Sequence, residues 1–192
     1  MAMLARVTQA PYLAGQFLLA LPGMGDPRFE RAVIAMCAHD DEGAIGIGIG
    51  ATIAGLGFHE LLKQVDVDPG EAPDAPVHFG GPVEMRRGFL VHSRDWQGQD
   101  TIDVAGRWAL SGTTDILRAI AQGKGPAQWV VALGYAGWGA GQLEGELTTP
   151  GWFTAPGSTD ILWGDGAADR WANAYAAAGI DPRLLVAGAG HA

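Results

Sequence analysis

Three glycine-punctuated blocks constrain this chain more than any other feature. They are Leu21–Ile34 (LPGMGDPRFERAVI), His78–Ser93 (HFGGPVEMRRGFLVHS) and Leu133–Leu147 (LGYAGWGAGQLEGEL). Each joins an apolar, strand-like run to glycines that carry a few polar side chains between them. Glycine at such density permits backbone conformations and close approaches that a Cβ forbids. The blocks therefore read as places where strands turn or where backbones meet, and any site is expected near them.

The remaining patterning places elements around these blocks. Gln16–Leu21 reads as a strand, Pro22–Gly25 as a bend, and Asp26-Pro27 as an N-cap followed by proline that starts one short turn. Val33–Ala38 is a continuous apolar run. Ala44–Gly50 alternates Ile45, Ile47 and Ile49 against Gly46, Gly48 and Gly50, which is strand period with one bare face. The short reversal Asp40–Gly43 between them predicts an antiparallel hairpin. Phe58–Val65 predicts an amphipathic helix with Leu61, Leu62 and Val65 inward, and Asp66–Pro76 a surface loop. Val77–Phe79 and Phe89–His92 read as strands flanking a Gly80-Gly81-Pro82 turn, and Trp108–Leu110 as another strand. Thr113 and Thr114 cap a helix over Asp115–Gln122, ended by Gly123 and Pro126. Trp129–Leu133 predicts a buried strand, Gly134–Gly141 a tight bend, and Gln142–Leu147 a short helix. Trp152–Thr154 and Ile161–Trp163 read as extended. Ala167–Ala178 is the clearest helix, stopped by Gly179. Hairpins mixed with helices argue α+β rather than an alternating parallel layout. No internal repeat and no convincing linker appear, so residues 1–192 are expected to form a single domain.

Composition narrows the function classes. The chain of 192 residues is 48% hydrophobic, enough for a core without disulfides or metal, and its formal charge is −9. That charge repels polyanions, so direct DNA binding and anionic membranes are disfavoured. The one cysteine, Cys37, sits in VIAMCA and reads as a buried thiol. The start resembles a leader only superficially, since Pro11, Gly15 and Gln16 interrupt it, and a cytoplasmic location is expected.

Chemistry-bearing patterns are sparse. Gly134–Gly141 fits neither GxGxxG nor a phosphate loop with lysine, and Glu144 and Glu146 would repel phosphate. His39, His59, His78, His92 and His191 stand in no zinc-ligand spacing, although His39 with Asp40 and Asp41 forms a polar cluster at a hairpin tip. His92-Ser93-Arg94-Asp95 has the residue types of a catalytic triad, but successive strand residues point to opposite faces. Arg86 and Arg87 are adjacent cations in an acidic chain, and arginine holds a carboxylate or phosphate in a bidentate fork. Glu84 and Asp26 are the carboxylates that would compete for Arg87. Most of the seven tryptophans are expected in the core, and a group of them around a groove would mark a partner site.

The blocks, in this order and spacing, resemble the AlgH/YqgE family of bacterial proteins. The resemblance rests on Leu21–Phe29, His39 with Glu42-Gly43, Phe79–Val83 with Arg87-Gly88 and His92, and Leu133–Trp138 with Gly141–Glu144. It implies a bifurcated, mostly antiparallel sheet curled into a pseudo-barrel with helices outside. It also weakly implies a regulatory role, since some members are named transcriptional regulators, though no helix-turn-helix or basic stripe is present here. The chain departs from the family at Ile49-Gly50-Ala51-Thr52, where typical members carry Asn-Arg-Pro. Two readings follow. The first is a non-enzymatic regulatory or interaction protein with an unidentified protein partner. The second is an enzyme or sensor for a small anionic ligand held by Gly80, Gly81, Arg87, His92, Tyr135, Trp138 and Gln142. No catalytic residue, metal or cofactor is assigned. A groove lined by Arg87, His92, Tyr135 and Trp138 would favour the second reading, and an exposed apolar patch the first.

Overall fold

The computed structural model describes residues 12–185. The leader-like start up to Pro11 and His191 lie outside the described residues. Ten strands form one curled sheet: β1 (Gln16–Ala20), β2 (Val33–Asp40), β3 (Gly43–Gly48), β4 (Thr52–Gly57), β5 (Pro76–Phe79), β6 (Val83–His92), β7 (Ile102–Val104), β8 (Trp108–Ser111), β9 (Trp129–Gly139) and β10 (Trp152–Pro156). Five helices accompany them: α1 (Phe58–Gln64), α2 (Thr114–Ala121), α3 (Gln142–Glu146), α4 (Thr159–Gly164) and α5 (Ala167–Ala177). The main strand order is β10-β1-β2-β3-β9-β6-β8-β7, with β4 and β5 branching from it. Every pairing is antiparallel except β5 with β9. The architecture is the α+β pseudo-barrel that the resemblance implies. No helix among the described residues is long and apolar enough to cross a membrane.

The fork of the sheet lies on β9, and the glycines make it possible. Residues Val131–Leu133 pair with β5, in parallel. Farther along, Ala136–Gly139 pair with β3 instead. The exchange of partners happens where Gly80 is wedged between the two. Its N–H donates to Leu133 O at 2.8 Å, and its carbonyl accepts from Gly48 N–H at 2.7 Å. A Cβ on Gly81, where φ is +153°, would collide with the Tyr135 carbonyl, and one on Gly134 (φ +76°) with the Gly81 carbonyl. The expected bend at Gly134–Gly141 is therefore corrected: the strand runs on to Gly139, and the glycines admit a third backbone. Gly80-Gly81-Pro82 likewise does not close a hairpin between β5 and β6. Both strands pair with β9.

Other expectations need correction for definite reasons. Ile161–Trp163 is helical, in α4, because the Ser158 side chain accepts from Ile161 N–H and caps the turn. Val65 lies beyond the end of α1 and is 39% exposed. The loop expected at Asp66–Pro76 is not wholly surface, since Val67 and Ala72 are buried beneath α1 and α2. Strand β4 has no buried residue and β7 has one, so both lack the alternation by which strands are read. The hairpin of β2 and β3, the Asp26-capped turn at Pro27–Phe29 and the end of α5 before Gly179 are as expected.

Helix α5 packs against the sheet and is fastened to it by buried polar groups. The Trp171 indole and the Tyr175 hydroxyl both donate to Ala20 O, at 2.9 and 3.0 Å. Arg170 is buried as well. Its guanidinium donates to Ile49 O at 2.8 Å, to Leu162 O at 3.1 Å and to His78 Nε2 at 2.8 Å. The His78 Nδ1–H in turn donates to Val131 O at 3.1 Å. Burial, with the neighbouring Arg170 charge, lowers the His78 pKa to about 4. The imidazole therefore stays neutral, and its lone pair serves the guanidinium.

This arrangement predicts an acid-labile fold. The unfolded chain binds a proton at His78 near pH 6.5, whereas the folded chain resists it down to about pH 4. The stability it contributes is full above pH 6.5 and is lost as pH falls towards 4, about 3 kcal/mol in all. Urea unfolding at pH 7.5 and 4.5 should show His78→Gln losing markedly less stability on acidification than the wild type. Equal losses in both would place the acid sensitivity elsewhere.

Candidate functional site

The three glycine blocks converge on one open groove of about 320 Å³. The first block contributes Met24, Asp26, Arg28 and Phe29, the second Pro82, and the third Ala136, Gly137, Trp138, Gln142 and Glu146; Trp152 completes it. Pairing at the fork brings Val83 opposite Tyr135, which sets the second and third blocks side by side, and Ala44 of β3 opposite Trp138. The capped turn at Pro27–Phe29 then forms the facing wall.

The walls are aromatic and their polar groups are paired with one another. Phe29 meets Trp152 edge-on, with ring centroids 5.6 Å apart. Glu146 accepts from Trp138 Nε1–H at 3.0 Å, Trp152 Nε1–H at 3.3 Å and Gln142 Nε2–H at 3.2 Å. Gln142 Oε1 also accepts from Gly139 N–H at 2.9 Å, which fixes the turn into α3. Arg28 clamps Asp26 through both carboxylate oxygens, with Nη2–Oδ2 at 2.7 Å, and this bond holds the Asp26 carboxyl below its usual range. A narrower recess beside the groove shares Arg28 and Phe29 and is walled by Gly48, Gly50, Ala51, Gly80 and Gly81. Gly50 and Ala51 fall in the segment where the resemblance implies Asn-Arg-Pro, so the departure sits directly against the site.

The residues proposed from sequence are not gathered in one place. Trp138 and Gln142 line the groove, and Gly80 and Gly81 line the adjoining recess. Tyr135 is partly buried, edge-on to Phe89 at 5.7 Å. Arg87 lies on an exposed bulge of β6, where the register jumps between Val83 and Gly88. Its guanidinium sits over Phe89 at 4.9 Å and 3.6 Å from the Glu84 carboxylate, not at Asp26. His92 is at the far end of β6 and fully buried. Its Nδ1–H donates to Ser93 O and its Nε2 accepts from Ser111 Oγ–H, both at 2.8 Å. Burial lowers its pKa, so it is neutral. This serine–histidine contact faces no solvent, because Ser111 is 1% exposed. Ser93 bonds Asp95 instead, and Arg94 bonds Asp103.

Other chemistry is equally quiet. His39 Nε2–H donates to Glu144 at 2.8 Å, and its Nδ1 accepts from Leu13 N–H at 3.0 Å. Among the described residues no three His, Cys, Asp or Glu side chains stand close enough to share a metal ion. Cys37 is buried, which pushes its thiol up to about 12. Sequence reasoning missed Arg28, Phe29, Glu146 and Trp152 as groove residues. A signal existed for Glu146, four residues after Gln142 and so on the same helix face. None existed for Trp152, whose place depends on strand pairing across the sheet.

Comparison with known proteins agrees with the fold. The AlgH-like family model matches residues 17–183. A UPF0301 protein of Rhizorhabdus wittichii is 57% identical over 94% of this chain and 97% of its own. One from Rhodospirillum rubrum is 48% identical over 94% and 95%. The solution structure of the AlgH protein from Pseudomonas aeruginosa superposes with a TM-score of 0.77 at 38% identity, covering 98% of this chain and all of that one. A crystal structure of the Corynebacterium diphtheriae protein DIP2367, at 20% identity and TM-score 0.71, shares the fold over 92% of both chains. With all three glycine blocks inside the matched span, the chain belongs to the AlgH-like family, whose biochemical role is undefined.

Proposed function

We propose that this chain is a non-enzymatic interaction protein with a regulatory role, and that a segment of a protein partner docks in the groove walled by Phe29, Trp138 and Trp152. The observation that supports this most is the pairing of the groove's polar groups. Arg28 is engaged by Asp26, and Glu146 by two indoles and Gln142. Such groups frame an aromatic surface and place no nucleophile beside a free base, the pair that covalent catalysis uses. Aromatic side chains with hydrogen-bonded edges are what central positions of interfaces favour. The charge of −9 points to a protein partner rather than nucleic acid, and a buried, reduced Cys37 suits the cytoplasm.

A second reading keeps a small anionic ligand near the glycine fork, and one observation favours it. Arg87 is half exposed and only loosely held by Glu84, at 3.6 Å, so its fork is available.

Two experiments separate these readings. Partner capture from the native host should be compared for the wild type, Arg28→Glu, Gln142→Glu and the distant control Lys124→Glu. A docking groove predicts that one protein is retained by the wild type and the control and lost by both groove variants. Equal capture by all four removes the groove from the account. For the ligand reading, Arg87→Met should abolish anion binding in calorimetry. It should change stability by less than about 1 kcal/mol, because the lost ion pair is solvent-exposed. Unchanged anion binding would eliminate Arg87 as a ligand group.

A further inference from the structure

A second depression, about 680 Å³, lies on the other side of the Leu21–Arg31 loop, against α5. Its floor and walls are apolar: Leu21, Met24, Trp171, Ala172, Ala176 and Ile180. This volume falls within the roughly 300–1,000 Å³ of small-molecule pockets. Four charged residues border it, and they are not equivalent. Asp181 and Arg183 neutralise one another through a two-point bond, with Nε–Oδ1 at 3.0 Å and Nη2–Oδ2 at 2.7 Å. Glu30 sits on the ridge shared with the recess beside Gly48 and Gly50. Arg31 has no carboxylate partner among the described residues.

Two features hold Arg31 at the mouth of the depression. Its guanidinium carbon lies 5.0 Å from the centroid of the Trp171 ring, and the indole is itself fixed by its bond to Ala20 O. The Arg31 backbone is left-handed, at φ +52°. Glycine would adopt that conformation without strain, and a long cationic side chain stands there instead. Stacking on the indole face leaves the edge of the planar guanidinium free to donate two parallel hydrogen bonds.

From this geometry we propose that the depression binds a small amphipathic acid. The apolar body lies along Leu21, Met24, Ala172, Ala176 and Ile180, and a single carboxylate is held by Arg31. A monoanion fits better than a phosphate dianion, because Arg31 is the one cation lining the opening that has no carboxylate partner among the described residues, and Glu30 and Asp181 border the same opening. The site lies across the Leu21–Arg31 loop from the aromatic groove and shares only Met24 with it, so neither reading depends on the other.

Decanoate, used below its micellar range, is the probe, and 1-decanol is its neutral counterpart. Calorimetry and amide chemical shifts of the full chain should show decanoate binding with shifts centred on Ala172, Ala176 and Ile180. Arg31→Gln should weaken decanoate about tenfold and leave decanol unchanged. Ala176→Phe fills the floor at an exposed helix position and should remove both. The proposal is overturned by an absence of binding, by decanoate binding that neither variant alters, or by shifts centred elsewhere. Binding that appears only after residues 186–192 are removed would also overturn it, since the chain's own end would then be the occupant.

Discussion

A guanidinium in the interior, with carbonyls and a neutral imidazole around it in place of a carboxylate, organises this molecule. Arg170 reaches from α5 to Ile49 O after β3, to Leu162 O in α4 and to His78 on β5. The charge of Asp165 only partly offsets the burial that lowers the arginine's pKa. Arginine remains protonated even so. The protein thus accepts a desolvation cost at one point, and three acceptors from separate elements are satisfied there together. Two of those elements, β3 and β5, are the strands between which β9 changes partners. The position of α5, and hence the wall of the large apolar depression, follows from this contact and from the two donors to Ala20 O.

The glycine fork is the second constraint, and it fixes the aromatic groove. Close approach of Gly48, Gly80, Gly81 and Gly134 lets β3 and β5 share one edge of β9. The Leu21–Arg31 loop is then held between two depressions, with Met24 lining both. One face of the loop offers Arg28 and Phe29 to the aromatic groove. Its end offers Arg31 to the apolar depression. The same loop thus borders both surfaces.

How much of this could be read from the residues depends on how local the cause is. The β2–β3 hairpin, the Asp26 cap, the buried thiol of Cys37 and the stop of α5 at Gly179 each rest on neighbours in sequence, and each was legible. Gly134–Gly141 misled because glycine density signals both a turn and a close backbone approach, and only the third dimension distinguishes them. Ile161–Trp163 misled because an Ile-Leu-Trp run suits a strand, whereas the deciding group is the Ser158 hydroxyl. The bond from Arg170 to His78 spans 92 positions and leaves no periodic trace. The site was legible as blocks but not as residues. Trp138 and Gln142 lie in the groove, while Arg28, Phe29, Glu146 and Trp152 were supplied by topology.

The central claim is that Arg170, and not apolar packing alone, fastens α5 to the sheet. Urea unfolding of Arg170→Met at pH 7.5, with amide hydrogen exchange across α5, tests it most directly. Methionine keeps much of the volume and removes the desolvation cost, but it strands Ile49 O, Leu162 O and His78 Nε2 without their donor. At about 1–3 kcal/mol for each stranded buried acceptor, the loss outweighs the relief. The account predicts a net destabilisation of about 2–4 kcal/mol, with α5 amides losing protection before those of β9. A variant as stable as the wild type, with α5 equally protected, would show that packing alone holds the helix and would contradict the account.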